Sequence, residues 1–404
     1  MATQIRTRPF DNFRLAITDP LYFFGRRDLL SEIQRSPFEV RVLLGGSRMG
    51  KTSTLNGVRL HFLDAGNQES FRAFTVLFDF QREQPKSLEN FLYLLIARLR
   101  ETIANPQQEP NSESSWRQTY RRFLRQLSGA EVSIFGIKLN VTNPNQERCL
   151  VQEDFRQDLL AIIQQLQKHE FEGVCFLFDG AEFAIRQDWA NHAWSYLRWL
   201  KDLDTAISPF LGLVLSGYRD LKNYQQRTGS PLLNIAKVQW LNLLTESEIR
   251  ALIALRCEHE QVKLTEKVVN AVIVWAGCHP YLTQQMLNTI FDNLHLEKPR
   301  SSKDLMRYLI RQQHDKDFSA LWDEKTKSYG FGEKEQAVYL ALVQKRQGTS
   351  ETLTQQVQLS EGEIEDALEV LAGTGVIRQL DTEHYAVGAK LFENWVAQEN
   401  SAST

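Results

Sequence analysis

Gly45-Gly46-Ser47-Arg48-Met49-Gly50-Lys51-Thr52, followed by Ser53, fits the spacing G-x-x-x-x-G-K-[ST]. Glycines at these positions let successive backbone N–H groups point inward around a chain of phosphates. Lys51 then reaches the β- and γ-phosphates, and the Thr52 hydroxyl suits Mg²⁺. Such a loop needs a carboxylate from a neighbouring strand to hold the metal. Val174-Cys175-Phe176-Leu177-Phe178-Asp179 is an apolar run ending in an acid, so Asp179 is expected to share the metal with Thr52. Gly180 follows, where many ATPases keep a glutamate to polarise the attacking water, so hydrolysis is expected to be slow. Glu182 takes that role if the chain turns sharply at Gly180; its bland alternative is a solvated glutamate. Leu213-Val214-Leu215 runs into Ser216-Gly217-Tyr218-Arg219, which brings a hydroxyl and a guanidinium to a strand end. The planar fork of Arg219 suits a γ-phosphate, its alternative being a structural pair with Asp220 or Asp179.

The elements that must position these groups follow from periodicity. Phe38 to Leu44 is a short strand ending in the glycines, and Lys51 to Leu63 reads as a helix. Phe74 to Phe80 is a second strand. It precedes an amphipathic helix from Ser87 to about Arg100, with Leu88, Phe91, Leu92, Leu95 and Leu99 on one face. A helix ending near Lys168, strands at Val174–Phe178 and Leu211–Leu215, and a helix around Trp189–Leu203 complete an alternation that implies a parallel, three-layer α/β sheet. From Thr245 the strand signal stops. Thr245-x-x-Glu248 forms a capping box, and helices fit Glu266–Trp275, Tyr281–Leu294 and Lys303–Gln312. The last stretch, Glu333 to Trp395, reads as three short helices and a hairpin, Val376–Leu380 with His384–Val387, which describes a winged helix.

The expected organisation is therefore an N-terminal tail (1–20), an α/β nucleotide-binding domain (21–242) with a basic helix and hairpin inserted at about 105–150, a helical lid (243–325), a winged helix (326–397) and a short tail (398–404). The 404 residues are ample for two or three cores, and 42 % hydrophobic with 24 % charged residues excludes collagen-like, coiled-coil and wholly disordered chains. Four scattered cysteines without a C-x-x-C spacing point to a reducing compartment and away from a cysteine metal site. Residues 1–19 carry no signal-peptide pattern, and no apolar run could cross a bilayer, so a cytoplasmic location without membrane attachment is expected.

The order Phe24-Gly25-Arg26-Arg27-x-x-Leu30, the phosphate loop, Asp79 at the end of strand two, Asp179, Ser216 to Arg219, Ser230-Pro231-Leu232-Leu233-Asn234, Gly277-Cys278-His279-Pro280-Tyr281-Leu282 and a terminal winged helix resembles the STAND class of P-loop NTPases. Within it, the bacterial and archaeal AAA-like ATPases related to Orc/Cdc6 are similar over residues 20 to 395. The resemblance implies a switch. ADP held by nucleotide domain, lid and winged helix keeps the molecule closed, and ATP exchange opens it to oligomerise or to recruit a separately encoded effector, with antiviral defence as one setting. It places Phe24, Gly25 and Arg26 on the adenine side and Pro280 on the base from the lid. Cys278 stands where a strict Gly-x-Pro would have glycine, and ATP is preferred over GTP by the resemblance alone.

Winged helices often bind DNA, but here the charges oppose it. Residues 331–404 carry twelve acids and five bases, a net of −7, and the expected recognition helix, Ser360–Ala372, has five acids and no base. A polyanion would be repelled, so this module is read as docking on the lid or on a protein. The sharpest basic feature lies in Trp116–Leu127, where Arg117, Arg121 and Arg125 recur every four residues behind a face of Trp116, Tyr120, Phe123, Leu124 and Leu127. That stripe carries the alternative function: a DNA-associated AAA+ loader or transposition-type regulator assembling on duplex DNA.

Overall fold

The computed structural model describes residues 16–17, 23–63, 72–104, 149–169, 171–294, 296–298, 300–323 and 330–402. The basic helix with Arg117, Arg121 and Arg125 and the hairpin expected in the insertion lie outside these residues, as does most of the expected 1–20 tail. Two compact units are present. One comprises the described residues within 18–43 and 51–239; the other comprises those within 1–17, 44–50 and 240–404.

The first unit contains α1 (Arg27–Arg35), most of β1 (Val40–Leu44), α2 (Lys51–Leu63), β2 (Ala73–Asp79), α3 (Phe80–Glu83), α4 (Leu88–Ala104), α5 (Gln152–Gln167), β3 (Gly173–Asp179), α6 (Ala181–Ala184), α7 (Ala190–Asp202), β4 (Leu211–Gly217), α8 (Arg219–Thr228) and most of β5 (Lys237–Trp240). The strands form one sheet in the order β2-β3-β4-β1-β5. β2 and β3 pair in parallel with Asp79 opposite Asp179, and β3 pairs in parallel with β4. β1 and β4 are buried along their whole length, as continuous apolar runs in a sheet covered on both faces should be. The core is aromatic: Phe78, Phe80, Phe91, Phe178 and Trp194 meet in edge-to-face and stacked pairs with centroids 5.1–6.4 Å apart. Such pairs add about 0.5–1.5 kcal/mol each beyond the area they bury. The helix expected from Ser87 buries Phe91, Leu92, Leu95 and Leu99, with Ile96 and Ile103 besides.

β5 is absent from the sequence reading. Its four residues, Lys237-Val238-Gln239-Trp240, lie at the sheet edge with none buried, so no apolar run marks them.

The second unit holds α9 (Glu246–Glu260), α10 (Glu266–Ala276), α11 (Pro280–Leu294), α12 (Ser302–Tyr308) and α13 (Asp315–Trp322). The Thr245 capping box is formed in both directions, Glu248 N–H to Thr245 Oγ1 at 3.2 Å and Thr245 N–H to Glu248 Oε2 at 2.7 Å. The helix expected over Lys303–Gln312 is divided: α12 passes at Leu309 into a π-helical turn that ends at Gln313, just before His314. The chain then makes α14 (Glu333–Lys345), β6 (Gln347–Thr349), α15 (Ser350–Val357), α16 (Glu361–Gly373), β7 (Ile377–Gln379), β8 (His384–Val387) and α17 (Lys390–Ala402). β6, β8 and β7 form a small antiparallel sheet, which completes a winged helix. Among the described residues no helix is long and apolar enough to cross a membrane.

Candidate functional site

In the first unit the sheet order explains how Thr52 and Asp179 meet. β4 lies between β1, which leads to the phosphate loop, and β3, which ends in Asp179. A hydroxyl at the end of β4 can therefore join the two. Ser216 donates to Asp179 Oδ1 at 2.6 Å, and Thr52, at the start of α2, donates to Asp179 Oδ2 at 2.6 Å. One carboxylate thus gathers two hydroxyls from two elements, leaving an oxygen-only donor set of the kind a hard divalent cation prefers. Asp79, in register with Asp179, is committed elsewhere: it caps α3 through the N–H groups of Gln81 and Arg82.

Gly180 adopts φ +67°, a left-handed turn that glycine takes without penalty, and α6 begins immediately after it. That turn brings the Glu182 carboxylate against the Gly217 backbone; a Cβ at Gly217 would lie 3.2 Å from Glu182 Oε2. Glu182 Oε2 is buried without a hydrogen-bond partner among the described residues. Burial raises its carboxyl above the usual range, opposed by the Lys51 ammonium. Lys51 is pushed the other way: burial lowers its amine, while Glu182 and Asp179 raise it and Arg26 lowers it further. These mutual effects place Lys51, Asp179, Glu182 and Arg26 in one electrostatic neighbourhood.

Arg26 and Gly25 both have positive φ, at 61° and 80°, just ahead of α1, and the Arg26 guanidinium donates to Thr54 Oγ1 on α2. Thr54 is fully buried, and no pattern in the sequence marks it as a partner of Arg26. Arg219 opens α8 half-buried, 5.9 Å from the ring of its neighbour Tyr218, while Asp220 pairs with Arg186 at 3.2 Å.

In the second unit, loop residues 44–50 are held by groups from the helical segment and the winged helix. Gly46 N–H donates to Gly373 O at 2.8 Å, and a Cβ at Gly46 would meet the Thr374 backbone at the same distance. A Cβ at Gly375 would approach Met49 Sδ at 3.2 Å. Arg48, at φ +64°, lays its guanidinium 4.2 Å from the centre of the Tyr281 ring and 3.2 Å from Asp317 Oδ1. Tyr281 Oη in turn donates to Asp317 Oδ2 at 3.4 Å. Ser47, Arg48, Tyr281, Asp317, Thr374 and Phe392 are among the walls of a cavity of about 70 Å³. Pro280 begins α11 half-buried, and buried His279 accepts the Tyr281 N–H at Nδ1, 3.2 Å away. Cys278 has φ +60°, the conformation for which glycine is favoured at that place in a Gly-x-Pro.

The residues present fit a phosphate-bearing nucleotide with Mg²⁺. Lys51 stands beside the Asp179 and Glu182 carboxylates, and Thr52, Ser216 and Asp179 supply hard oxygen donors.

Comparison with known proteins agrees on the fold. Residues 326–392 match the family model described as the sugar-specific transcriptional regulator TrmB, which covers the winged helix only. No curated protein matches the chain. Among solved structures, the Walker-type ATPase PABY2304 of Pyrococcus abyssi is similar at 14 % identity, covering 96 % of this chain and 99 % of that one with a TM-score of 0.57. The Aeropyrum pernix ORC2 protein in its ADPNP–ADP complexes matches at 11 % identity over 98 % of both chains, with a TM-score of 0.47. The Aeropyrum pernix ORC1 protein in complex with DNA matches at 11 % identity over 98 % of both chains, with a TM-score of 0.41. The chain has the fold of a P-loop ATPase, with a five-stranded parallel sheet, flanking helices and a C-terminal winged-helix domain of the TrmB kind.

Proposed function

We propose that this chain is a slow, nucleotide-controlled ATPase switch of the STAND kind, in which the winged helix grips the phosphate loop in the resting state. The observation that carries the reading is the hydrogen bond from Gly46 N–H to Gly373 O, with Thr374 packed against the space where a Gly46 side chain would be. A winged helix built only to read DNA has no need to bond a phosphate loop. Its charge agrees: Glu361, Glu365 and Asp366 stand exposed on α16, and Asp381 and Glu383 are exposed in the wing turn.

Bound ATP with Mg²⁺ would supply the anhydride to be cleaved and a charge that draws the phosphates into the site. Lys51 and the loop N–H groups would hold the β- and γ-phosphates, and Thr52 and Asp179 the metal. Glu182 would orient and deprotonate water, the task for which a carboxyl raised by burial and aimed at the site is suited. Arg219 would sense the γ-phosphate. Once the winged helix lets go, the chain would self-associate or recruit a separately encoded effector protein. The test is solution mass by light scattering with ADP·Mg²⁺ and with a slowly hydrolysed ATP analogue, without DNA. A defined multimer or effector-competent form with the analogue alone is expected; an Lys51→Ala protein that made the same transition would remove the reading.

The match of residues 326–392 to a transcriptional-regulator model favours a second reading, a DNA-associated ATPase assembling on duplex DNA. With an acidic α16, phosphate contacts would fall to Arg117, Arg121 and Arg125. Salt-sensitive duplex binding that disappears in the Arg117/Arg121/Arg125→Glu protein would decide for it.

A further inference from the structure

We infer that Arg48 is a further residue, in addition to Arg219, by which this chain distinguishes a nucleoside triphosphate from a diphosphate, and that Asp317 competes with the γ-phosphate for its guanidinium. The inference rests on the nucleotide-switch reading above.

Arg48 lies in the phosphate loop three residues before Lys51, and its side chain, though still largely exposed, is directed at the helical segment. It is held from two sides. The Asp317 carboxylate, in the first turn of α13, lies 3.2 Å from the guanidinium, and the face of Tyr281, near the start of α11, lies 4.2 Å away. Its backbone at φ +64° is a conformation that a residue with a side chain adopts at a cost, so surrounding structure must hold it there. Such strain is common where a loop has two states.

Asp317 is a poor permanent partner for an arginine. Burial raises its carboxyl toward the neutral form, and the charge of Arg48 opposes that shift. The guanidinium therefore keeps Asp317 ionised, at a site where the carboxylate is partly stripped of water. A terminal phosphate offers the same planar fork two or three oxygens and nearly twice the charge. Arg48 would leave Asp317 for a phosphate at the γ position, a place that a diphosphate, whose last phosphate is the β, leaves empty. Once abandoned, Asp317 is a half-buried carboxylate beside Tyr281 and the 70 Å³ cavity, whose walls also include Thr374 and Val376 of the winged helix. The helical segment would then lose the ion pair that ties α13 to the loop. In this scheme Arg48 acts on specificity and opening, while Arg219 lies at the end of another strand.

The experiment is equilibrium titration with fluorescent ADP and a fluorescent, non-hydrolysable ATP analogue, reported as the ratio of the two dissociation constants. Asp317→Asn removes the competing charge with little change of shape, and we expect analogue binding to tighten by about tenfold relative to ADP. Arg48→Ala should lower the preference for the analogue by about tenfold, leaving what Lys51 and Arg219 contribute. In the double variant the Asp317→Asn effect should vanish, as it must if Asp317 acts through Arg48. Thermal melts identify any variant that fails to fold, and Arg48→Lys, which keeps charge without the fork, should fall between wild type and Arg48→Ala. If folded Arg48→Ala and Asp317→Asn proteins kept the wild-type ratio within about twofold while Lys51→Ala lost both nucleotides, this inference would be wrong and the switch reading would stand. If wild-type protein bound neither nucleotide through Lys51, both would fall together.

Discussion

At the scale of single residues, the candidate phosphate site was legible because its chemistry is encoded locally. Lys51, Thr52, Asp179 and Ser216 each stand at the end of a strand or the start of a helix that the sequence marks, and two bonds of 2.6 Å join the hydroxyls to the carboxylate. For Glu182 the sequence leaves a solvated and a functional glutamate open. Its buried, unpartnered Oε2 supports the functional role. Replacing it with glutamine should reduce ATP hydrolysis by about 100-fold while nucleotide affinity changes less than about threefold. Hydrolysis by the wild-type protein should rise with pH through a carboxyl titration above the usual carboxylate range, and that limb should be missing from Glu182→Gln. The partners of Arg48 were not legible. Tyr281 and Asp317 come to it from far along the chain, and no local pattern in the sequence pairs a loop arginine with them.

At the scale of elements, strands that are continuous apolar runs and helices with marked caps were readable, whereas features set by tertiary packing were not. The edge strand at Lys237–Trp240 is short and has no buried position, so pairing rather than propensity makes it a strand. The π-helical turn after α12 also escaped notice, because nothing in Leu309–Gln313 departs from an ordinary helix. This turn delivers His314 into the core with no exposure, stacked on Phe318 with centroids 5.1 Å apart and edge-on to Tyr281. Neither ring nitrogen has a hydrogen-bond partner among the described residues. Burial and the nearby Arg48 charge lower its pKa to about 4. A histidine that is depressed in the folded state stabilises the protein above its unfolded pKa and withdraws that stability as pH falls. Between pH 7.5 and 5 the loss should be about 2 kcal/mol. Denaturant melts should show it in wild type, and His314→Phe should abolish that component. Gly373, at the end of α16, gives a second element-scale prediction. A Cβ there would lie 2.0 Å from the Trp240 ring, so Gly373→Ala should cost about 1–3 kcal/mol and weaken the turn that bonds Gly46.

For the whole molecule, the sequence order of α/β sheet, helices and winged helix is the order observed, because alternation and its disappearance after Thr245 are long-range patterns of composition. The assignment of loop residues 44–50 to the same compact unit as residues 240–404 could not be read from the sequence. It depends on contacts such as Gly46 with Gly373, which only the folded chain makes, and it supports the proposal that the winged helix, expected from its charge to dock on the lid or on a protein, holds the phosphate loop. If that is its role, the acidic surface of α16 should give the winged helix no salt-dependent affinity for duplex DNA, measurable by titration at two ionic strengths.

The most direct test of this account is amide hydrogen exchange over residues 44–50 and 370–378, with ADP·Mg²⁺ and with a slowly hydrolysed ATP analogue. Protection of the Gly46 amide should be high with ADP and fall about tenfold or more with the analogue, together with exchange in the Gly373–Gly375 turn. Equal protection of Gly46 with both nucleotides, at full occupancy, would contradict the claim that nucleotide state controls the winged helix's hold on the phosphate loop.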